Sequence, residues 1–208
     1  TAPFGFVDAV TPSAAIAEAR ELLPPRLGRA LRDHARRLGV SAASMMHLAW
    51  ALVLARGAAR QDVVFGSVLF GRMRAGAGAD RVVGMFINTL PVRLRLQGRS
   101  VVQSLREMHA SLVELMRHEH TPLTVAQRAS AVPAQTALSS ALLNYPYAST
   151  SAPAPATDIE LVWTEERTSY PLTLSIDDLG EDFALTVQVA APVAPERVAA
   201  YLRTVLTS

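Results

Sequence analysis

From Leu90 to Leu96 the chain alternates strictly, with Leu90, Val92, Leu94 and Leu96 set against Pro91, Arg93 and Arg95. A period of two predicts a strand with one buried face. The strand pattern extends back over RVVGMFINTLPVRLRL, residues 81–96, but Asn88 and Thr89 interrupt it. In the same register Asn88 falls on the apolar side and Thr89 on the other. A buried carboxamide without partners costs roughly 1–3 kcal/mol, so this position needs an explanation. Pro91 predicts an edge or a bulge, because it has no N–H to donate to a ladder.

Other segments carry their own signatures. DVVFGSVLFG, residues 62–71, is continuously apolar and predicts a central strand. ALLNYPY (141–147) predicts a short strand, and Ile159, Leu161 and Trp163 alternate. PLTLSIDD and FALTVQVA predict a hairpin around LGE. Among helices, PPRLGRALRDHARRLG starts on Pro24 and Pro25 and stops at Gly39, with Leu27, Leu31, Ala35 and Leu38 on one face. SAASMMHLAWALVLARG, with Ser41 as N-cap, is apolar nearly all round and predicts a buried helix. Ser100 and Gln103 form a capping box ahead of the stripe Leu105, Met108, Leu112 and Leu115, and Pro122 marks the exit. A last helix starts at Pro195 with Val198, Tyr201, Leu202 and Val205 on one face. What precedes Pro24 reads only as an extended lead-in. GRMRAGAGAD (71–80) and ASTSAPAPATD (148–158) predict exposed loops. Helices and strands mix throughout, which predicts an α/β fold: a mixed sheet with helices packed on it.

Composition narrows the chemistry. The chain has 208 residues, half of them hydrophobic, enough for a sizeable core. No cysteine is present, which removes disulfides, thiolate metal sites and cysteine nucleophiles, and is compatible with a cytoplasmic location. No apolar run approaches the roughly 20 residues that span a bilayer, so no membrane partner is expected. TAPFGFVDAV lacks the basic start and apolar centre of a signal peptide, and without an initiator Met it suggests a piece of something longer. All 20 basic residues are arginine, and the formal charge is only +2. Their one dense run, RLGRALRDHARR, fits a nucleic-acid patch or the solvated face of a helix. No aromatic residues interleave to stack bases, which favours the solvated face.

Candidate reactive groups are few. His118 and His120 have H-x-H spacing, but they sit at a predicted helix end, where cationic side chains complement the dipole. His47 falls inside the buried helix and reads as a satisfied core histidine; His34 and His109 read as helix surface. Asp177, Asp178, Glu181 and Asp182 cluster at the hairpin tip, where a cation site competes with ordinary solvated turn residues. AGAGAD opens no helix and carries no Lys-Ser/Thr, and no G-x-S-x-G is present. Motif mechanics alone give no catalytic centre and no metal site.

The ordered set of strings is more specific. GVSAASMMHLAWALVLAR, DVVFGSVLFGR, GADRVVGMFINTLPVR, HEHTPL, ALLNYPY and TSYPLTLSIDDLG resemble, in this order, the second half of nonribosomal peptide synthetase condensation domains. VGMFINTLPVR is similar to that family's G-x-F-x-N-T motif and LLNYPY to its L-x-N-Y segment; in TSYPL, Ser169 stands where Asn is more usual. The resemblance implies a chloramphenicol-acetyltransferase-like lobe over residues 1–208, one half of a V-shaped domain with a substrate tunnel between its lobes. It implies a tunnel wall drawn from Arg72, Gly84, Phe86, Asn88, Thr89, Asn144 and Tyr145, and peptide-bond formation between acyl groups carried on phosphopantetheine arms. It implies no cofactor bound by this chain. The implied partners are the N-terminal lobe, donor and acceptor carrier proteins and an adjacent adenylation domain. The family's H-H-x-x-x-D-G signature belongs to the other lobe, and no two of the five histidines here are adjacent. The chain is therefore expected to be inactive alone, to carry no catalytic residue, and to self-associate through its exposed interlobe face. A non-catalytic carrier-protein interaction module is the alternative, and an independent acyl-binding enzyme the third.

Overall fold

The structure, a computed structural model, describes residues 2–6, 15–71, 83–133, 136–146 and 168–208. Among them six strands form one mixed sheet: β1 (Ile16–Leu22), β2 (Asp62–Leu69), β3 (Asn88–Arg95), β4 (Ala141–Asn144), β5 (Leu172–Asp178) and β6 (Phe183–Ala190). Their order is β1-β6-β5-β4-β2-β3. β4 runs parallel to β5 and β2, and the remaining pairs are antiparallel. The helices are α1 (Pro25–Leu38), α2 (Ala42–Gly57), α3 (Val101–Arg117), α4 (Leu123–Ala129) and α5 (Pro195–Thr207).

Register decides which residues form the core. Val63, Phe65 and Ser67 stand opposite Leu94, Val92 and Leu90, and all six are buried. Leu172, Leu174 and Ile176 stand opposite Val189, Val187 and Leu185, all at 0% exposure. α2 is the hub of the helical layer, touching α1, α3, α5 and β2. Its all-round apolar sequence follows from that position, and Trp50 at its centre is fully buried.

The local signals hold where sequence chemistry is strong. Gly39 ends α1 in the left-handed region, and the Ser41 side chain accepts from the Ser44 amide at the start of α2. Ser100 and Gln103 cap α3 reciprocally, with Gln103 Oε1 accepting from Ser100 N at 2.9 Å. Leu105, Met108 and Leu112 are buried and Leu115 half-buried. β2 is paired on both sides, and β5 and β6 form the hairpin. Pro91 lies in β3, the outermost strand, where a missing donor costs little.

Several expectations change. β3 begins at Asn88, and residues 83–87 are not strand; Val83, Met85 and Ile87 are exposed. Tyr201 leaves the core face of α5, 39% exposed and stacked by Arg197, whose Cζ is 5.5 Å from its ring centroid; Ala199 is buried beside Val198 and Leu202 instead. β1 and α4 appear where the sequence showed an extended lead-in and an exit. The Ile159–Trp163 alternation and the two predicted loops (all but Gly71) lie outside the described residues. No single helix among the described residues is long and apolar enough to cross a membrane.

Candidate substrate-facing surface

Alternation along the strands gives the sheet a second face, and its chemistry differs. It carries Thr89 on β3, Asn144 on β4, Thr173 and Ser175 on β5, and Thr186 and Gln188 on β6, aligned by the ladder pairings Asn144–Ser175, Ser175–Thr186 and Thr173–Gln188. All but Thr173 are half-buried, and charged residues flank them on the same face: Glu18 and Arg20 on β1, Asp177 on β5, and Asp62, Arg93 and Arg95 at one end of β2 and β3. Thr173 is sealed by the Thr168 hydroxyl at 2.8 Å.

Asn88 belongs to the helix side, opposite Leu69 in the register. Its Nδ2 donates to the carbonyls of Glu119 at 2.9 Å and Thr121 at 2.8 Å, and its Oδ1 accepts from the Thr89 amide at 2.9 Å. Both donors are therefore used by backbone, at the turn after α3 where Glu119 is only 2% exposed. This answers the buried carboxamide: Asn88 ties the end of α3 to the first residue of β3. It leaves Thr89 as the member of the pair that faces the open side.

The other sequence candidates separate. Asn144 and Tyr145 are neighbours with different tasks. The Asn144 Oδ1 is buried and has no hydrogen-bond partner. The Tyr145 hydroxyl donates to Asp178 Oδ2 at 2.8 Å. Asp178 also receives both arms of Arg32, at 2.7 and 2.9 Å, and the Gly180 amide at 3.0 Å. The Arg32 guanidinium lies 4.0 Å above the Phe183 ring centroid. Burial alone would raise the Asp178 carboxyl, but hydrogen bonds from Arg32, Gly180 and Tyr145 outweigh it and hold it below the usual carboxylate range. Burial first, then the Asp178 contact, pushes the Tyr145 hydroxyl well above its ordinary value. Asp178 is thus a clamp between α1, β4 and the hairpin and not a solvated turn residue. Sequence reading missed it because its partners lie 146 and 33 residues away.

Gly84 is exposed, and a Cβ there would meet only the Phe86 ring, at 3.2 Å. The close backbone approach occurs at Gly71 instead, where φ is +65° and a Cβ would lie 2.2 Å from the Phe86 carbonyl. Arg72 lies outside the described residues.

His47 and His109 are structural. His47 Nδ1 donates to the Ala43 carbonyl at 2.7 Å, so its Nε2 accepts from the Ser67 hydroxyl at 2.9 Å. Burial lowers its pKa to about 4. His109 is not a free surface residue: its Nδ1 meets the Ser44 hydroxyl at 2.9 Å, linking α3 to α2. His118 caps α3 and lies 3.4 Å from Glu114. Among the described residues no three His, Asp or Glu side chains converge as metal ligands.

A mixed sheet with helices on it, in this order, is the chloramphenicol-acetyltransferase-like α/β lobe. The condensation domain of the Monacolin K polyketide synthase MokA superposes with a TM-score of 0.72 over 95% of this chain and 48% of that one, at 21% identity. The first condensation domain of the CDA synthetase gives 0.70 over 92% of this chain and 45% of that one, at 20% identity. In sequence, the Condensation domain profile matches residues 14–192. Malpibaldin synthetase of Mortierella alpina is 46% identical over 208 residues, which are 99% of this chain and 4% of that protein. Vanchrobactin synthetase VabF of Vibrio anguillarum is 31% identical over 73% of this chain and 5% of its own length. The chain belongs to the condensation domain family. It spans a few per cent of these synthetases and just under half of the solved condensation domains.

Proposed function

We propose that this chain is the C-terminal lobe of a condensation domain that joins acyl groups carried as phosphopantetheine thioesters on two carrier proteins. The acceptor amine attacks the donor thioester carbonyl; a C–N bond forms, the C–S bond breaks, and the thiol leaves on the donor's arm. One observation carries the reading: a sheet whose helix side is a packed core and whose other side presents, between charged margins, half-buried uncharged hydrogen-bonding groups on β3 to β6. Such a surface suits one wall of a tunnel carrying thioesters and amides, which are themselves uncharged. Thr89 and Asn144 lie along the wall in this reading. Asn88 and Tyr145 hold the wall in place, and Gly84 and Phe86 belong to its rim. The N-terminal lobe supplies the acid–base residue, which fits the absence of any adjacent histidine pair here. An adenylation domain is the expected neighbour and the cytoplasm the expected location.

The test is co-expression with the N-terminal lobe of the same synthetase, with product from two loaded carrier proteins followed by mass spectrometry. Amide product is expected from the pair and none from this chain alone. Product from this chain alone overturns the lobe assignment. Carrier-protein binding without product from the pair favours the interaction-module alternative.

A further inference from the structure

A cleft of about 190 Å³ opens on the second sheet face, lined by Thr89 and Pro91 of β3, Leu123 of α4, Leu138 and Tyr170, with Gly66 of β2 among its walls. Gly66 is required there. A Cβ at that position would lie 2.9 Å from Thr89 Cγ2, 3.0 Å from Leu142 Cδ1 and 3.5 Å from the Tyr170 hydroxyl. The bare backbone is what lets these three groups meet over the strand. The far wall is braced by Gln127, whose Nε2 donates to the carbonyls of Pro133 and Thr136, each at 3.1 Å.

Three properties define what the cleft can take. First, its volume equals that of about six waters at roughly 30 Å³ each. That suits one amino-acid side chain and falls below the roughly 300–1,000 Å³ of sites for whole small molecules. Second, none of the described residues lining it is charged, so among them an ionised group entering would lose hydration without gaining a counter-charge. Third, two of its lining residues, Thr89 and Tyr170, carry hydroxyls. Thr89 and Tyr170 bond their neighbours through backbone atoms only, and neither hydroxyl has a partner among the described residues. Burial holds the Tyr170 phenol above its ordinary value, so it remains a donor at any working pH. A group that both donates and accepts would satisfy the pair, and apolar walls would hold the stem behind it.

We infer that this cleft is the subsite for one uncharged side chain of an acyl or aminoacyl substrate, ending in a carboxamide or hydroxyl that is read by Thr89 and Tyr170. The inference rests on the condensation reading for its source of substrate, and it adds a size limit and a chemical class. Selectivity follows from the rule that a site built to hydrogen-bond a substrate penalises an analogue that leaves its polar groups unpaired.

The experiment uses this chain with ¹³C-methyl leucine, following Leu123 and Leu138 by NMR. The probes are the N-acetyl methylamides of glutamine, leucine and glutamate. The glutamine compound is expected to shift both leucines, the leucine compound to bind more weakly, and the glutamate compound not to bind. Thr89→Val with Tyr170→Phe, both near-isosteric, is expected to weaken the glutamine compound at least 10-fold while leaving the leucine compound unchanged. If the double variant fails to fold, Tyr170→Phe alone is expected to weaken the glutamine compound measurably. No binding of the glutamine compound, equal binding of glutamate, or equal affinity in wild type and variant overturns the inference. Binding is read on this chain alone, so a silent two-lobe assay would count against the condensation reading and not against the cleft.

Discussion

The two faces of one sheet handle polar groups in opposite ways. On the helix side, His47 meets Ser67 and a backbone carbonyl, and Asn88 meets three backbone groups. Trp50 Nε1 and Arg32 Nε are exceptions, buried without a hydrogen-bond partner among the described residues. On the other side, the Asn144 Oδ1 and the hydroxyls of Thr89 and Tyr170 have no partner among the described residues. A core must satisfy its polar atoms within the chain, whereas a binding surface keeps some for a ligand. Asn88 and Asn144, although both lie in motif-like strings, therefore have different jobs.

Three measurements probe that contrast. The largest effect is expected from adjacent residues of β2 that point to opposite faces. Phe65→Ala should cost about 3–5 kcal/mol in urea denaturation, because it empties a fully buried site. Val64→Ala, half-buried on the other side, should cost about 1 kcal/mol or less. Equal losses would mean that the second face is as well packed as the first.

Next is the pH dependence of the helix side. The unfolded imidazole of His47 titrates near 6.5 and the buried one near about 4. Between these values the unfolded chain binds the extra proton, so stability is complete above about pH 6.5 and falls as pH drops toward 4. The loss should reach about 3 kcal/mol. Urea midpoints measured between pH 7 and 4.5 should show this slope, and His47→Leu should flatten it. An unchanged slope in the variant would assign the effect to other groups.

The smallest comparison pairs the two asparagines. Asn88→Ala should destabilise by about 2–3 kcal/mol, since it removes three hydrogen bonds and strips partners from two backbone carbonyls. That corresponds to a fall in Tm of roughly 5–10 °C for a chain of this length. Asn144→Ala, which breaks no side-chain hydrogen bond among the described residues, should stay within about 0.5 kcal/mol while lowering turnover in the two-lobe assay. A large stability loss for Asn144→Ala would make it structural.

Some of this was legible early because the chemistry is local. Capping at Ser41 and Ser100, the Gly39 stop, the β5–β6 hairpin and the edge position implied by Pro91 all depend on residues a few positions apart. The ordered motifs were equally legible, and they pointed to the family and the fold class. β1 was not, because IAEAREL has no clean alternation and is mostly exposed; it is a strand by virtue of pairing with β6, about 170 residues later. α4 escaped for a related reason: it is short, buries none of its residues and has no side-chain cap.

The candidate site divides along the same line. Residue type and spacing alone were enough to show that Asn88 needed partners. The folded chain was needed to show that those partners are the carbonyls of Glu119 and Thr121, that Tyr145 is held by Asp178 and Arg32, and that Gly66, Thr89 and Tyr170 share one cleft. The cause is separation along the chain. Hydrogen bonds and close contacts act over a few ångströms, and only the completed sheet brings residues that far apart in sequence within that range.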